Sequence, residues 1–226
     1  MSRAIIITSY VDYPVDLSAL CRSGDHIVCL DGGLDLALAQ GIRPAMLLGD
    51  LDSLKGELPE DPAFEVRRFP PEKDYSDLEL AFRQLDPIEY PDLVVIGGIG
   101  GRLDHTICNV QLLSRYTGGS GFRRIAIMDG RNRCFVIKGS GEDPVPRTIP
   151  SQEGCYLSLF SLTEECRGLT ITGVKYPLED ATLSRGVSLG VSNEFLPREE
   201  GASAREGSHA EISLREGTLL VVISSE

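Results

Sequence analysis

Five short, almost wholly apolar runs recur along the chain, and four of them stop at a glycine or an aspartate. No other feature restricts the fold as much. The runs are Ala4–Thr8, His26–Leu30 (followed by Asp31-Gly32-Gly33), Ala45–Leu48 (followed by Gly49-Asp50), Leu93–Ile96 (followed by Gly97-Gly98) and Ile125–Met128 (followed by Asp129-Gly130). Apolar residues without alternation suit strands covered on both faces, which is the pattern of a parallel sheet. Between them lie stretches with helical spacing. Leu34, Leu36, Ala37 and Leu38 make a short helix with Gly41 as its stop. Ser76 and Glu79 match a capping box, and Leu78, Ala81, Phe82 and Leu85 fall on one helical face. Asp104–Tyr116 reads as a helix with Leu103, Ile107, Val110 and Leu113 as its apolar face, and Glu65–Phe69 as an edge strand.

After about Asn132 the texture changes. Cys134–Ile137, Tyr156–Phe160, Leu169–Thr172, Ala181–Leu183, Ile212–Leu214 and Leu219–Ile223 are short strand candidates separated by Gly, Pro and charged turns. GSGEDPVPRT reads as a surface loop. No helix pattern appears among them, which indicates an antiparallel sandwich. The fold class is therefore α/β: an N-terminal, mostly parallel sheet flanked by helices, Rossmann-like, then a C-terminal antiparallel β-sandwich. The expected domains are 1–132 and 133–226.

Composition sharpens this. With 226 residues, 42% of them hydrophobic, the chain can bury a sizeable core. Its formal net charge of −12 argues against nucleic-acid and anionic-membrane partners. It leaves a nucleotide ligand open, because magnesium can neutralise phosphates locally, and it suits a cationic organic substrate. The six cysteines form no CxxC pair and read as small hydrophobes in a reducing compartment. The start, MSRAIIITSY, is too short an apolar run for a signal peptide, and no later run could span a bilayer, so a cytoplasmic protein is expected.

The chemistry concentrates in Gly49–Leu80, which carries Asp50, Asp52, Asp74 and Asp77 with Lys73 among them. Asp31, Asp50 and Asp129 each follow an expected strand, where open parallel sheets bind ligands. Magnesium prefers a few carboxylates completed by water and phosphate, so this grouping reads as a magnesium–phosphate site. Any single one of these aspartates is also explained by turn or cap chemistry. GGIGGRLDH, Gly97–His105, leaves backbone amides open to phosphate and adds the fork of Arg102; it is neither GxGxxG nor a Walker loop. His105, in the first turn of its helix, fits a ligand contact or a backbone-bonded cap residue. In the second domain, KYPLEDATLSRGVSLGVSNEF ends in Ser192-Asn193-Glu194, which could read a ligand's polar edge but is equally an ordinary turn.

Taken together, DGG at Asp31–Gly33, GDLDS at Gly49–Ser53, EKDYSD at Glu72–Asp77, GGIGGRLDH, and YPLEDATL with GVSNE at Tyr176–Glu194 resemble the thiamine pyrophosphokinase (thiamine diphosphokinase) family, in its order and over nearly the whole chain. The departures are Leu51 where Phe is frequent, Tyr75 where Thr is common, and the absence of Trp. The resemblance implies magnesium-dependent transfer of a diphosphoryl group from ATP to the hydroxyl of thiamine, releasing AMP. It implies a homodimer, with the site between the α/β lobe of one subunit and the sandwich of the other. By position it implies metal ligation by Asp50, Asp52 and Asp74, and catalysis by Lys73, Asp74 and Asp77, one of the two acids taking the hydroxyl proton. Asp31, Gly32, Gly97, Gly98, Gly100, Gly101, Arg102, Asp104 and His105 would bind ATP. Ser192 and Asn193 would contact thiamine, with Tyr176 or Phe195 as the aromatic surface. The rival readings are a magnesium-dependent phosphohydrolase and a non-catalytic nucleotide- or thiamine-binding module.

Overall fold

The computed structural model describes residues 2–54, 58, 62–197 and 209–226. The chain divides into two units, Met1–Gly130 and Arg131–Glu226.

In the first unit the apolar runs are strands: β1 (Arg3–Ile7), β2 (His26–Leu30), β3 (Met46–Gly49), β4 (Glu65–Arg68), β5 (Asp92–Ile96) and β6 (Arg124–Met128). They pair in parallel in the order β6-β5-β1-β2-β3-β4. The helices are α1 (Leu17–Leu20), α2 (Gly33–Ala39), α3 (Asp77–Gln84) and α4 (Leu103–Tyr116). Successive side chains of a strand point to opposite faces. Ile5, Ile7, Ile27, Cys29 and Leu47 share one buried cluster with Leu17, Leu34 and Ala37, while Ile6, Val28 and Leu48 are equally buried. Both faces of the sheet are therefore covered, as a parallel sheet requires. β4 lies at the edge, and its burial is correspondingly partial.

Three local features differ from the sequence pattern. The helix α1 lay hidden in VDLSAL; the Asp16 carboxylate caps it by accepting from the Ala19 N–H at 3.1 Å. On α3 only half of the capping box forms. The Ser76 hydroxyl accepts from the Glu79 N–H, whereas the Glu79 carboxylate accepts from Arg83 and from the Tyr116 hydroxyl at 2.9 Å, tying α3 to α4. On α4 the expected apolar face is buried only in part. Leu103 and Ile107 are 71% and 51% exposed, and the buried positions are Asn109, Leu112 and Leu113. The stripe that carries Asn109 faces the core, and its amide bonds to the loop before the helix.

The second unit contains β7 (Asn132–Lys138), β8 (Arg147–Pro150), β9 (Cys155–Ser161), β10 (Glu165–Thr172), β11 (Leu178–Ser184), β12 (Asn193–Glu194), β13 (His209–Ser213) and β14 (Thr218–Ser225). The rows β12-β9-β14-β7 and β11-β10-β13-β8 are antiparallel throughout. This is the sandwich read from the sequence, with two additions. β8 takes the last two residues of the stretch read as a loop, and β12 arises inside the SNE turn. None of the six cysteines forms a disulfide. Among the described residues no helix is long and apolar enough to cross a membrane.

Candidate active site

The loop after β3 is wound around one buried side chain. Asp31, 7% exposed at the end of β2, accepts a hydrogen bond from the Leu51 N–H at 3.0 Å. Gly49 passes so close that a Cβ there would lie 1.7 Å from Asp31 Oδ1, at φ +146°. Only glycine fits. Leu51 sits at φ 68° and Asp31 at φ 43°, left-handed conformations that cost of order 1–3 kcal/mol each and persist only where the surroundings enforce them. The Gly32 N–H donates to the Ser53 hydroxyl at 3.1 Å, a second stitch between DGG and GDLDS. Gly33 is dictated by packing, since a Cβ would meet the Ile7 carbonyl at 2.2 Å. The result aims the Asp50–Asp52 pair, in which the Asp50 carboxylate accepts from the Asp52 N–H at 3.1 Å.

The charges here are crowded. Burial pushes the Asp31 carboxyl up to about 6; Asp77 and Asp50 add to this, while the Leu51 hydrogen bond and Lys73 oppose it. The hydrogen bond to Asp50 and its charge raise the carboxyl of Asp52, with Asp77 contributing and Lys73 opposing. Lys73 Nζ bridges to Asp77 Oδ1 at 2.5 Å, with the lysine side chain 13% exposed. The structure therefore gathers Asp31, Asp50, Asp52, Lys73 and Asp77. It does not gather Asp74, which is exposed in the loop before α3 and absent from the strongest charges acting on Asp31 and Asp52. Among the described residues no group of three His, Cys, Asp or Glu could hold a metal by itself. Of the expected set Asp50, Asp52, Asp74, the third acid belongs to a different loop, the one that leads into the α3 cap. The pair that remains fits magnesium, which commonly takes one or two carboxylates and completes its shell with water and phosphate oxygens.

The glycine-rich loop is shaped by its neighbours. Gly97, Gly98, Gly100 and Gly101 all have positive φ. A Cβ would meet the Tyr10 carbonyl at 2.1 Å from Gly97, Asp12 Oδ2 at 2.7 Å from Gly100, and Tyr10 Cζ at 2.7 Å from Gly101. The amides of Gly97 and Gly98 donate to Met128 and Tyr10 carbonyls, and Asn109 Nδ2 donates to the Gly98 carbonyl at 2.6 Å. Those two amides are committed to the fold. The Gly100 and Gly101 amides have no partner among the described residues and lead into the N-terminus of α4, whose Arg102 cap position makes no side-chain capping bond. Arg102 forks onto Asp104 at 3.1 and 2.6 Å, which holds that carboxyl down at about 2. Both side chains are largely exposed, and such a pair exchanges partners at little cost. His105 is exposed, its N–H bonded to the Asp104 carboxylate. Sequence reasoning missed Thr8, Tyr10, Asp12, Ser53 and Asn109. The available signal was position: Tyr10 and Asp12 directly follow the first strand.

In the sandwich, Asn193 is buried, and both ends of its amide are used. Oδ1 accepts from the Tyr176 N–H at 3.0 Å, and Nδ2 donates to the Tyr176 carbonyl at 2.7 Å. The side chain thus clasps Tyr176, a residue that is 60% exposed. Ser192 is exposed at φ 57°, its N–H held by the Ser158 hydroxyl at 3.0 Å. The clasp presents Ser192 and the Tyr176 ring outward.

Known proteins share both halves. Residues 17–123 match a family model described as thiamin pyrophosphokinase, catalytic domain, and residues 147–216 one described as thiamin pyrophosphokinase, vitamin B1 binding domain. A thiamine pyrophosphokinase of Bacillus subtilis (strain 168) is 30% identical over 201 residues, 87% of this chain and 86% of the relative. A crystal structure of thiamine pyrophosphokinase from Bacillus subtilis aligns over 100% of both chains with a TM-score of 0.81 at 26% identity. One of thiamin pyrophosphokinase from Geobacillus thermodenitrificans aligns over 100% of this chain and 98% of that one, with a TM-score of 0.77 at 30% identity. With both domain models matched in order and a relative of this identity covered almost throughout, the chain belongs to the thiamine pyrophosphokinase family.

Proposed function

We propose that the protein transfers a diphosphoryl group from ATP to the hydroxyl of thiamine, giving thiamine diphosphate and AMP. The observation that carries this is the cluster of Asp31, Asp50, Asp52 and Asp77 around one lysine, in a chain of this family. Four acids opposed by a single ammonium leave negative charge that a divalent cation would balance. Asp50 and Asp52 are the residues to hold magnesium, which when bound offsets charge on phosphate oxygens.

The chain's own groups do the rest. The Gly100 and Gly101 amides and the start of α4 face phosphate, and Arg102 exchanges Asp104 for a phosphate oxygen. Phosphates competing for Lys73 release Asp77, whose carboxylate is then open to accept a proton. The thiamine oxygen attacks the β-phosphorus and its proton goes to Asp77. The bond from the β-phosphorus to the oxygen it shares with the α-phosphate breaks, and AMP departs. Positioning supplies most of the acceleration, as in other phosphoryl transfers. On the sandwich side, Ser192 and the Tyr176 ring are the thiamine contacts, with Asn193 fixing the turn beneath them. A homodimer whose site is completed by the second subunit is supported by the exposed Val187, Leu189, Val191 and Leu196 beside that turn. A cytoplasmic location is supported by six cysteines that form no disulfide.

The test is incubation with thiamine, ATP and magnesium, followed by separation of the nucleotides. AMP and thiamine diphosphate in equal amounts are expected. ADP or free phosphate in their place, or an Asp77→Asn variant that retains wild-type turnover, would sink this reading.

A further inference from the structure

The strand order places a topological switch between β5 and β1. From β1 the chain winds outward through β2, β3 and β4 on one side, and through β5 and β6 on the other. Loops leaving two such strands diverge at their carboxyl ends and open a crevice there. The two loops here are residues 8–16 and 97–102, and they are sewn together at the mouth of the seam. The Thr8 N–H donates to the Ile96 carbonyl at 3.0 Å, and its hydroxyl reaches both the Ile96 and Tyr10 carbonyls, at 3.0 and 2.9 Å. The Gly98 N–H donates to the Tyr10 carbonyl at 3.0 Å.

Tyr10 is held at both ends. Its carbonyl anchors the glycine-rich loop, and its hydroxyl donates to Asp12 Oδ1 at 3.0 Å. Its ring lies against Gly101 so closely that a Cβ there would fall within 2.7 to 3.1 Å of three ring carbons. Yet 45% of the residue remains exposed. A tyrosine whose only task was to cover the loop would gain more by burying its ring. A ring fixed in place, on a residue almost half open to solvent and next to two unpartnered amides, is instead a preformed stacking surface, and stacking tolerates any base because every base has a π face.

We propose that Tyr10 is the platform on which the base of the nucleotide substrate stacks, which makes it a binding residue for the nucleoside rather than for the phosphates. This rests on the reading of Gly97–Arg102 as the phosphate cradle. It assigns the β1 loop, which carries none of the motif aspartates, to nucleotide recognition, with Asp12 holding the ring at its angle.

The experiment compares the full-length wild type with Tyr10→Ala and Tyr10→Phe. For each, KM is measured for ATP and for thiamine, together with inhibition by inorganic tripolyphosphate, which offers phosphates without a base. Loss of one base stack is expected to raise the KM for ATP by about fivefold or more in Tyr10→Ala. Its KM for thiamine and its tripolyphosphate inhibition constant should stay within about twofold, and Tyr10→Phe should remain near wild type, since stacking needs the ring and not the hydroxyl. An unchanged KM for ATP overturns the proposal. So does tripolyphosphate inhibition that weakens in step with ATP, which would show that Tyr10 only shapes the loop, and so does a Phe variant as impaired as the Ala variant. If the wild type releases no AMP, the proposed function falls separately. The platform is then judged by calorimetry of ATP and of tripolyphosphate with wild type and Tyr10→Ala. ATP alone losing affinity supports it; equal loss, no loss, or no binding of ATP to the wild type overturns it.

Discussion

Asp31→Asn removes the charge at the centre of the acidic cluster while keeping its shape. Burial first, then Asp77 and Asp50, raise the Asp31 carboxyl from 3.8 to about 6. A carboxyl raised on folding costs stability when ionised. The cost is absent below the unfolded value, grows as pH rises from 3.8 to 6, and is complete above that. A shift of this size corresponds to about 3 kcal/mol. The replacing amide carries a burial cost of its own, which leaves a difference of about 1–2 kcal/mol. Asparagine can still accept from the Leu51 N–H through its Oδ1, but it does not titrate. In metal-free protein, Asp31→Asn should therefore gain about 1–2 kcal/mol on the wild type between pH 4 and pH 7.5. The assay is urea denaturation at several pH values, followed by circular dichroism because the chain has no Trp. Magnesium should narrow the gap by easing the ionised state of the wild type. Two stability curves running parallel across this range would refute the reasoning, since Asp31 would then not carry the penalty that its surroundings assign to it.

Other consequences follow from the same contacts. Asp52→Asn should relieve its repulsion with Asp50 yet lower turnover by about a hundredfold or more, and added magnesium should restore little of it, as a titration of rate against metal would reveal. Asn193→Ala strands the Tyr176 N–H and carbonyl, so thermal melting should show a loss of about 2 kcal/mol, larger than the loss from Ser192→Ala at the exposed position beside it. Asn109→Ala frees the Gly98 carbonyl and should raise the KM for ATP more than that for thiamine, because the phosphate loop loosens while the sandwich turn is untouched. Leu47→Ala opens a cavity in a fully buried strand position and should cost about 2–5 kcal/mol in denaturant midpoint with no specific effect on either KM.

Much of this protein was legible in one dimension. Apolar runs of four or five residues specify buried parallel strands through short-range chemistry, and β1, β2, β3, β5 and β6 fell where those runs are. The glycines after the strands were legible too, since each marks a backbone path closed to other residues. Less legible were features that need a neighbour from elsewhere in the chain. The face of α4 was legible only in part: Leu113 is buried as its spacing implies, whereas Leu103 and Ile107 are exposed and the buried Asn109 reaches the Gly98 carbonyl. Asp74 is expected among the metal ligands from the resemblance of EKDYSD to the family's motif, and the spatial relation of these side chains is not contained in that motif. In space Lys73 turns to Asp77, one helical turn onward, and Asp74 is left in solvent.

The sequence by itself determined the α/β-then-sandwich order, the family, and the stretch from Gly49 to Leu80 as the chemical centre, because these depend on local periodicity and on residue types in a fixed order. Tertiary structure decided that Asp31 supports the GDLDS loop from beneath, that Gly97 and Gly98 spend their amides on the fold while Gly100 and Gly101 keep theirs open, and that Tyr10 lies over that loop. Each of these joins residues twenty to ninety positions apart across adjacent strand ends. Strand pairing sets which loops become neighbours, and pairing is fixed by the packing of the whole sheet, which no short window of sequence contains.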